Sequence, residues 1–190
     1  MNKKYSAVIE WIIAVVLLLL CYRFSIFSAG HFSALNAHKL SEKTMHYGPS
    51  KIIKEIDLKN RKVLLCKYKD WISADVVERN FIRWYPGSPV SPRPIDYTKK
   101  VTYSWSASGV SDNRDSLLTV IGYANDPTIT KIILEAKKQK SSTIETQTYK
   151  LDESHMFIFN LTDKKDMYFF TDIKAVDKDG KVIYEEKTPQ

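Results

Sequence analysis

The sequence predicts a mainly β protein, an antiparallel β-sandwich preceded by a single transmembrane helix, on three observations. The first is Trp11 to Tyr22 (WIIAVVLLLLCY), a stretch with neither a charge nor a helix breaker. The second is a succession of short alternating runs from Val101 onward, separated by turn-forming residues. The third is composition: 190 residues with 44% hydrophobic and 12% aromatic content, six Gly and seven Pro, describe a folded chain.

Apolar character begins at Tyr5, is broken once by Glu10, and continues past Arg23 to Phe27. The usable span is roughly 18 to 22 residues, about what a helix needs to cross a hydrocarbon core of roughly 30 Å. Leu17 and Leu20 fall inside it, Trp11, Tyr5 and Tyr22 are expected as interfacial rings, and Glu10 and Arg23 sit toward the two surfaces. Lys3 and Lys4 favour a cytoplasmic N-terminus with the remaining chain outside. Ser28 and Gly30 offer a cleavage site far from the Leu run, and Leu20 is too bulky to precede a lipidated Cys21. An uncleaved anchor over residues 1–27 therefore fits better than a cleaved signal or a buried soluble helix.

Residues 28–50 mix small, polar and His residues without a steady apolar stripe, and are expected to form a tether. His31, His38 and His46 recur at intervals of seven and eight, but no carboxylate or Cys pattern completes a metal set.

From Lys51 the period shortens. Lys51 to Leu58 and Lys62 to Tyr68 read as a hairpin across Lys59, Asn60 and Arg61. Asp70 to Asn80 is ambiguous between helix and strand. Residues 51–85 form a hairpin lobe on this reading, and Pro86 to Pro94, with four prolines in nine residues, opens a loop over residues 86–98.

Residues 99–187 supply seven strand-like runs, beginning near Val101, Ser116, Thr128, Thr143, His155, Met167 and Lys181. That number and spacing predict a sandwich of the immunoglobulin-like kind.

Chemistry is sparse. Asp177 to Gly180 (DKDG) begins like a calcium loop, but Lys181 puts a cation at the fifth position, so a hairpin turn with Asp179 and Gly180 at positive φ is expected. His155 has no Gly-flanked Ser to act with and reads as a strand-start residue. The pairs Asp152 with Glu153 and Asp163 with Asp166 read as solvated turn residues. Asn160 to Thr162 matches a glycosylation acceptor. Cys66 lies in an apolar run and reads as a small core residue, and no disulfide framework exists. No catalytic, cofactor-binding or metal-ligating residues are assigned, and the chain is read as a non-enzyme.

The net charge of +7 is uneven: residues 51–100 carry twelve Lys and Arg against six Asp and Glu, whereas residues 101–190 carry twelve against fourteen. A positive membrane-proximal half suits anionic headgroups or an anionic envelope polymer. Nucleic-acid binding is disfavoured, since no recognised basic-aromatic module is present. Trp84 and Tyr85 flank the proline loop and, with Arg83 and Arg93, are the candidate partner-binding residues.

The basic N-terminus, the single apolar stretch, the run from Ile52 to Trp71 (IIKEIDLKNRKVLLCKYKDW) and the closing hairpin from Lys174 to Glu186 (KAVDKDGKVIYEE) together resemble small uncharacterised membrane-anchored proteins of low-GC Gram-positive bacteria. The resemblance implies an outward-facing domain in the cell envelope and supplies no active-site residues. The expected function is a single-pass membrane protein presenting a non-catalytic extracytoplasmic domain that binds an envelope component or a protein partner. An immunity, inhibitor or accessory subunit is the alternative, and a cell-wall hydrolase is less favoured.

Overall fold

A computed structural model describes residues 3–24, 30–110 and 115–187, with side chains in the first helix from Val8 to Tyr22. The roles expected for the side chains of Lys3, Lys4, Tyr5 and Arg23, the cleavage residue Ser28 and most of the turn at residues 111–115 lie outside the described residues.

Helix α1 (Lys3–Phe24) opens the chain, and every described side chain in it is exposed, including Trp11 at 74% and Leu18 at 71%. Among the described residues no helix is long and apolar enough to cross a membrane. The expected span over residues 5–27 therefore exceeds what the structure describes.

The segment expected as a tether instead folds against the domain. Helix α2 (Ala34–Thr44) starts at Ser33, whose side chain accepts from Asn36 N at 3.2 Å, a favourable N-cap. Its buried face is Ala37, His38, Ser41 and Glu42, positions that recur at helical spacing. The stripe is small and polar rather than apolar, which is why hydrophobic periodicity does not reveal it.

Strands β1 (Lys51–Leu58), β2 (Arg61–Tyr68) and β3 (Trp71–Asn80) form an antiparallel meander. The free edge of β3 pairs with β4 (Arg83–Pro86) at one end and with β5 (Val90–Pro94) at the other. The segment expected to be helix or strand is thus strand from Trp71, and the proline segment contributes an edge strand, the position where missing N–H donors cost least. The result is a five-stranded sheet, which joins the hairpin lobe expected over residues 51–85 to β5 from the segment expected as a loop over 86–98.

Seven strands follow, as the run spacing predicts. β6 (Val101–Ser108), β7 (Ser116–Ala124) and β10 (Met156–Asp163) make a three-stranded sheet in the order β10-β7-β6. β8 (Lys131–Lys138), β9 (Ile144–Lys150), β11 (Tyr168–Val176) and β12 (Val182–Lys187) make a four-stranded sheet in the order β12-β11-β8-β9.

The three sheets stack in layers, with the three-stranded sheet in the middle. Alternation along its strands assigns each face: Leu118, Val120, Phe157, Phe159 and Leu161 join the core shared with the four-stranded sheet, whereas Leu117, Ile121, Met156 and Ile158 join the core shared with Val63, Leu65, Ile72, Ala74 and Val76. Burial on both faces explains why β7 (SLLTVIGYA) and β10 (MFIFNLTD) are near-continuous apolar runs. The first sheet is also covered twice, since Leu64, Cys66, Ser73, Asp75 and Val77 are buried on the face turned away from that core.

Three expectations for short motifs are settled at residue level. Asp177 Oδ1 accepts from the N–H groups of Asp179 and Lys181, both at 2.9 Å, and of the two residues expected at positive φ only Gly180 has it, at +83°. Asn160 lies within β10, with its Oδ1 bound by Thr119 Oγ1 and its Nδ2 buried, so the glycosylation nitrogen is inaccessible in the folded chain. Asp166 is buried rather than solvated, and its carboxylate accepts from Lys140 N, Ser141 N and Met167 N, tying two loops together.

Burial by itself raises the Asp166 pKa, but those backbone donors hold it below the usual carboxylate range. Lys138 and two backbone N–H groups hold neighbouring Asp163 down at about 2. Depressed carboxylates stabilise the fold above their unfolded pKa and lose that contribution as pH falls through the folded one. The unfolding midpoint is expected to fall between about pH 4 and pH 2, and by less in Asp166→Asn; an equal fall in both proteins would contradict this assignment.

Candidate functional site: the helix-covered face and edge of the first sheet

Two contacts fasten the entering chain to β4. His31 N donates to Trp84 O at 2.8 Å and Trp84 N donates to His31 O at 2.7 Å, extending the sheet by one antiparallel bridge. Gly30 lies against Tyr85, where an added Cβ would come within 2.5 Å of the ring. Trp84 and Tyr85 are accordingly half-buried in a seam. The Nζ of Lys62 and the guanidinium of Arg79 lie 5.8 and 6.0 Å from the centroid of the Trp84 ring.

Arg83 connects the domain to the apolar helix. Its Nη2 donates to Tyr22 Oη at 2.6 Å, its Nη1 donates to Gly30 O at 3.3 Å, and its guanidinium sits 4.8 Å from the centroid of the Phe32 ring. The structure therefore brings Arg83, Trp84 and Tyr85 together with Tyr22.

Arg93 lies apart from them, opposite Ile72 at the other end of β3. It borders a groove of about 370 Å³ where the edge strands β6 and β12 approach, with Lys99, Tyr103, Trp105, Tyr184 and Glu186. Trp105 is 45% exposed there.

The third part of the site is a buried ionisable cluster that the sequence does not reveal. His38 Nδ1 lies 2.6 Å from Asp75 Oδ2, and His38 Nε2 lies 3.5 Å from Glu42 Oε1. His38, Glu42 and Asp75 are only 2%, 7% and 3% exposed. Glu42 also accepts from Ser50 N at 2.7 Å, so the carboxylate holds the segment that follows α2. One signal was available: Asp75 interrupts the apolar run ISADVV, where a carboxylate needs a partner.

Burial alone would lower the His38 pKa, but the hydrogen bond and charge of Asp75, with a smaller pull from Glu42, leave it raised. Burial likewise pushes the Tyr47 phenol and the Cys66 thiol up to about 12, so both stay neutral near pH 7. His38 thus bridges Asp75 on β3 and Glu42 on its own helix, fixing α2 on β3. Cys66 matches its expected buried role, since it is 0% exposed.

A raised His pKa contributes stability that is complete below the unfolded value of about 6.5 and is lost as pH rises through the folded one. The unfolding midpoint of the full chain in detergent micelles is expected to decline from pH 6 to pH 8. In His38→Gln that decline is expected to flatten, and an unchanged slope would show that another group sets it.

Among the described residues no group of three or more His, Cys, Asp or Glu is placed to hold a metal ion. A scan of protein-family models finds no match to the chain, and comparisons with curated proteins and with solved structures also find none.

Proposed function

We propose that the chain is a single-pass membrane protein whose first helix holds a non-catalytic, immunoglobulin-like β-domain on the extracytoplasmic side, where it binds an envelope component or a protein partner. The observation that carries the reading is α1: all its described side chains are exposed, and they are apolar around the whole circumference apart from Glu10. A helix of that kind is stable in a bilayer or inside a core, and this one has no core around it. In sequence the apolar run continues on both sides of Val8–Tyr22, which brings it to the roughly 18 to 22 residues that a span requires.

Strand order supports the immunoglobulin-like description, since sheets ordered β10-β7-β6 and β12-β11-β8-β9 send the β7–β8, β9–β10 and β10–β11 connections from one sheet to the other, as Greek-key sandwiches do. The groove, lined by Arg93 and Lys99 together with Asp96 and Glu186, supports binding of a glycan-bearing envelope component, with charged groups for its hydroxyls and the Trp105 indole face for a sugar ring.

Alkaline carbonate extraction of membranes from cells expressing the full chain tests the anchor. The chain is expected to stay in the pellet, and release into the supernatant would overturn the reading. Binding is tested by retention of the solubilised chain on isolated wall polymer. Loss of retention in Trp105→Ala and Arg93→Ala is the expected result, and undiminished retention in both would remove the groove from the proposal.

A further inference from the structure

We infer that the β3–β4 hairpin tip is a second membrane contact, inserting Phe81 and Ile82 into the lipid interface beside the end of α1 and seating the domain on the bilayer. The inference rests on the anchor reading above.

The tip has an unusual composition for its geometry. Asn80 pairs with Arg83, leaving Phe81 and Ile82 as a two-residue loop. Such loops favour Asn and Gly because the chain must take positive φ there. Phe81 does take it, at +55°, a conformation rarely adopted by a bulky residue. It is also 88% exposed, and Ile82 is 54% exposed. Two large apolar groups thus occupy a position where neither the backbone nor burial favours them. An exposed apolar tip of this kind marks a contact surface.

Location selects lipid as the occupant. Arg83, next to Ile82, binds Tyr22 in the last turns of α1, so the tip sits at the level where the apolar helix ends. Tyr at that level is an interfacial residue. Phe32, 73% exposed, packs against the Arg83 guanidinium and adds a third exposed apolar side chain beside the tip.

Basic residues border the patch. Arg79 N donates to Asn60 O, which brings the β1–β2 turn with Lys59 to the same end of the sheet. Apolar groups at the same end of the sheet as Lys59, Arg79 and Arg83 match an interface with apolar tails below anionic headgroups. The arrangement also orients the domain: the β11–β12 turn at Lys178 lies at the opposite end of the strands from the loops that adjoin the β1–β2 turn, and so points away from the bilayer.

The test uses the full chain reconstituted in vesicles of phosphatidylcholine and phosphatidylglycerol. A Cys21→Ser background leaves Cys66, fully buried and so closed to labelling. Phe81→Cys or Lys178→Cys is then labelled with an environment-sensitive fluorophore, and quenching by lipids spin-labelled near the headgroup is measured. Quenching at position 81 is expected to exceed that at position 178 by at least about twofold, as insertion to interfacial depth requires. The Ile82→Asp change is expected to reduce quenching at position 81.

If the chain floats with the vesicles but both positions are quenched alike, the seat is overturned while the anchor stands. If the label at position 81 is shielded only after an envelope protein extract is added, a protein covers the tip and the lipid assignment is overturned. If the chain fails to float, the anchor reading falls and the seat falls with it.

Discussion

Replacing Asp75 with alanine is expected to lower the unfolding free energy by about 3–5 kcal/mol, the usual cost of removing one partner of a buried pair. The reason is the uncompensated partner: His38, 2% exposed and 2.6 Å from the lost carboxylate, is left buried with its Nδ1 unpaired and only Glu42 beside its ring. Helix α2 rests on β3 through this contact, so its buried polar face would lose its match on the sheet. Urea unfolding in micelles measures the effect. Asp75→Asn, which preserves shape and one acceptor oxygen, is expected to fall between the alanine variant and the parent. A loss below about 1 kcal/mol, the range of an exposed ion pair, would show that the pair is not a structural joint.

The second large effect is at Gly122 in β7. It lies opposite Phe157 on one side and Tyr103 on the other, in the middle strand of the middle layer. A Cβ added there would come within 2.1 Å of Phe157 Cζ and 2.6 Å of Thr102 O. The first clash involves a side chain packed at 0% exposure and the second a backbone atom of a paired strand, so neither yields without disturbing a core. Gly122→Ala is expected to destabilise by about 3 kcal/mol, at the upper end of overpacking penalties. Adding Phe157→Leu is expected to relieve only the ring clash and so to recover only part of the loss. A Gly122→Ala protein as stable as the parent would mean that the Phe157 ring is not held across this position.

Much of the β architecture is legible in the sequence because period-two alternation and turn chemistry locate strands locally. Val101, Tyr103 and Trp105 against Thr102, Ser104 and Ser106 identify β6, and Asp177 to Gly180 identify the final turn. What alternation cannot convey is the number of layers. Leu117 and Leu118 are both apolar because they face different cores, and only the stacking of three sheets explains the run.

The Ala, Leu and Lys content of residues 28–50 permits a helix, but the docking of α2 is not legible for a related reason: its buried stripe is Ala37, His38, Ser41 and Glu42, which mimics a polar tether until Asp75 is placed beneath it. Of the candidate binding residues, Arg83, Trp84 and Tyr85 are adjacent in sequence and so remain together. Arg93, only ten residues from Arg83, is carried by β5 to the other end of β3. Phe81 to Tyr85 (FIRWY) is apolar enough in sequence to read as partly buried, and nothing local shows that Phe81 and Ile82 form an exposed turn.

The most direct measurement of the central claim is the accessibility of a C-terminal tag to protease added to intact cells, with membrane fractionation of the same sample. The tag is expected to be cleaved from outside, and the untreated chain to pellet with membranes at its full mass of 22.0 kDa. A tag protected in intact cells, on a chain recovered in the soluble fraction, would contradict the anchor, the orientation and the lipid seat together.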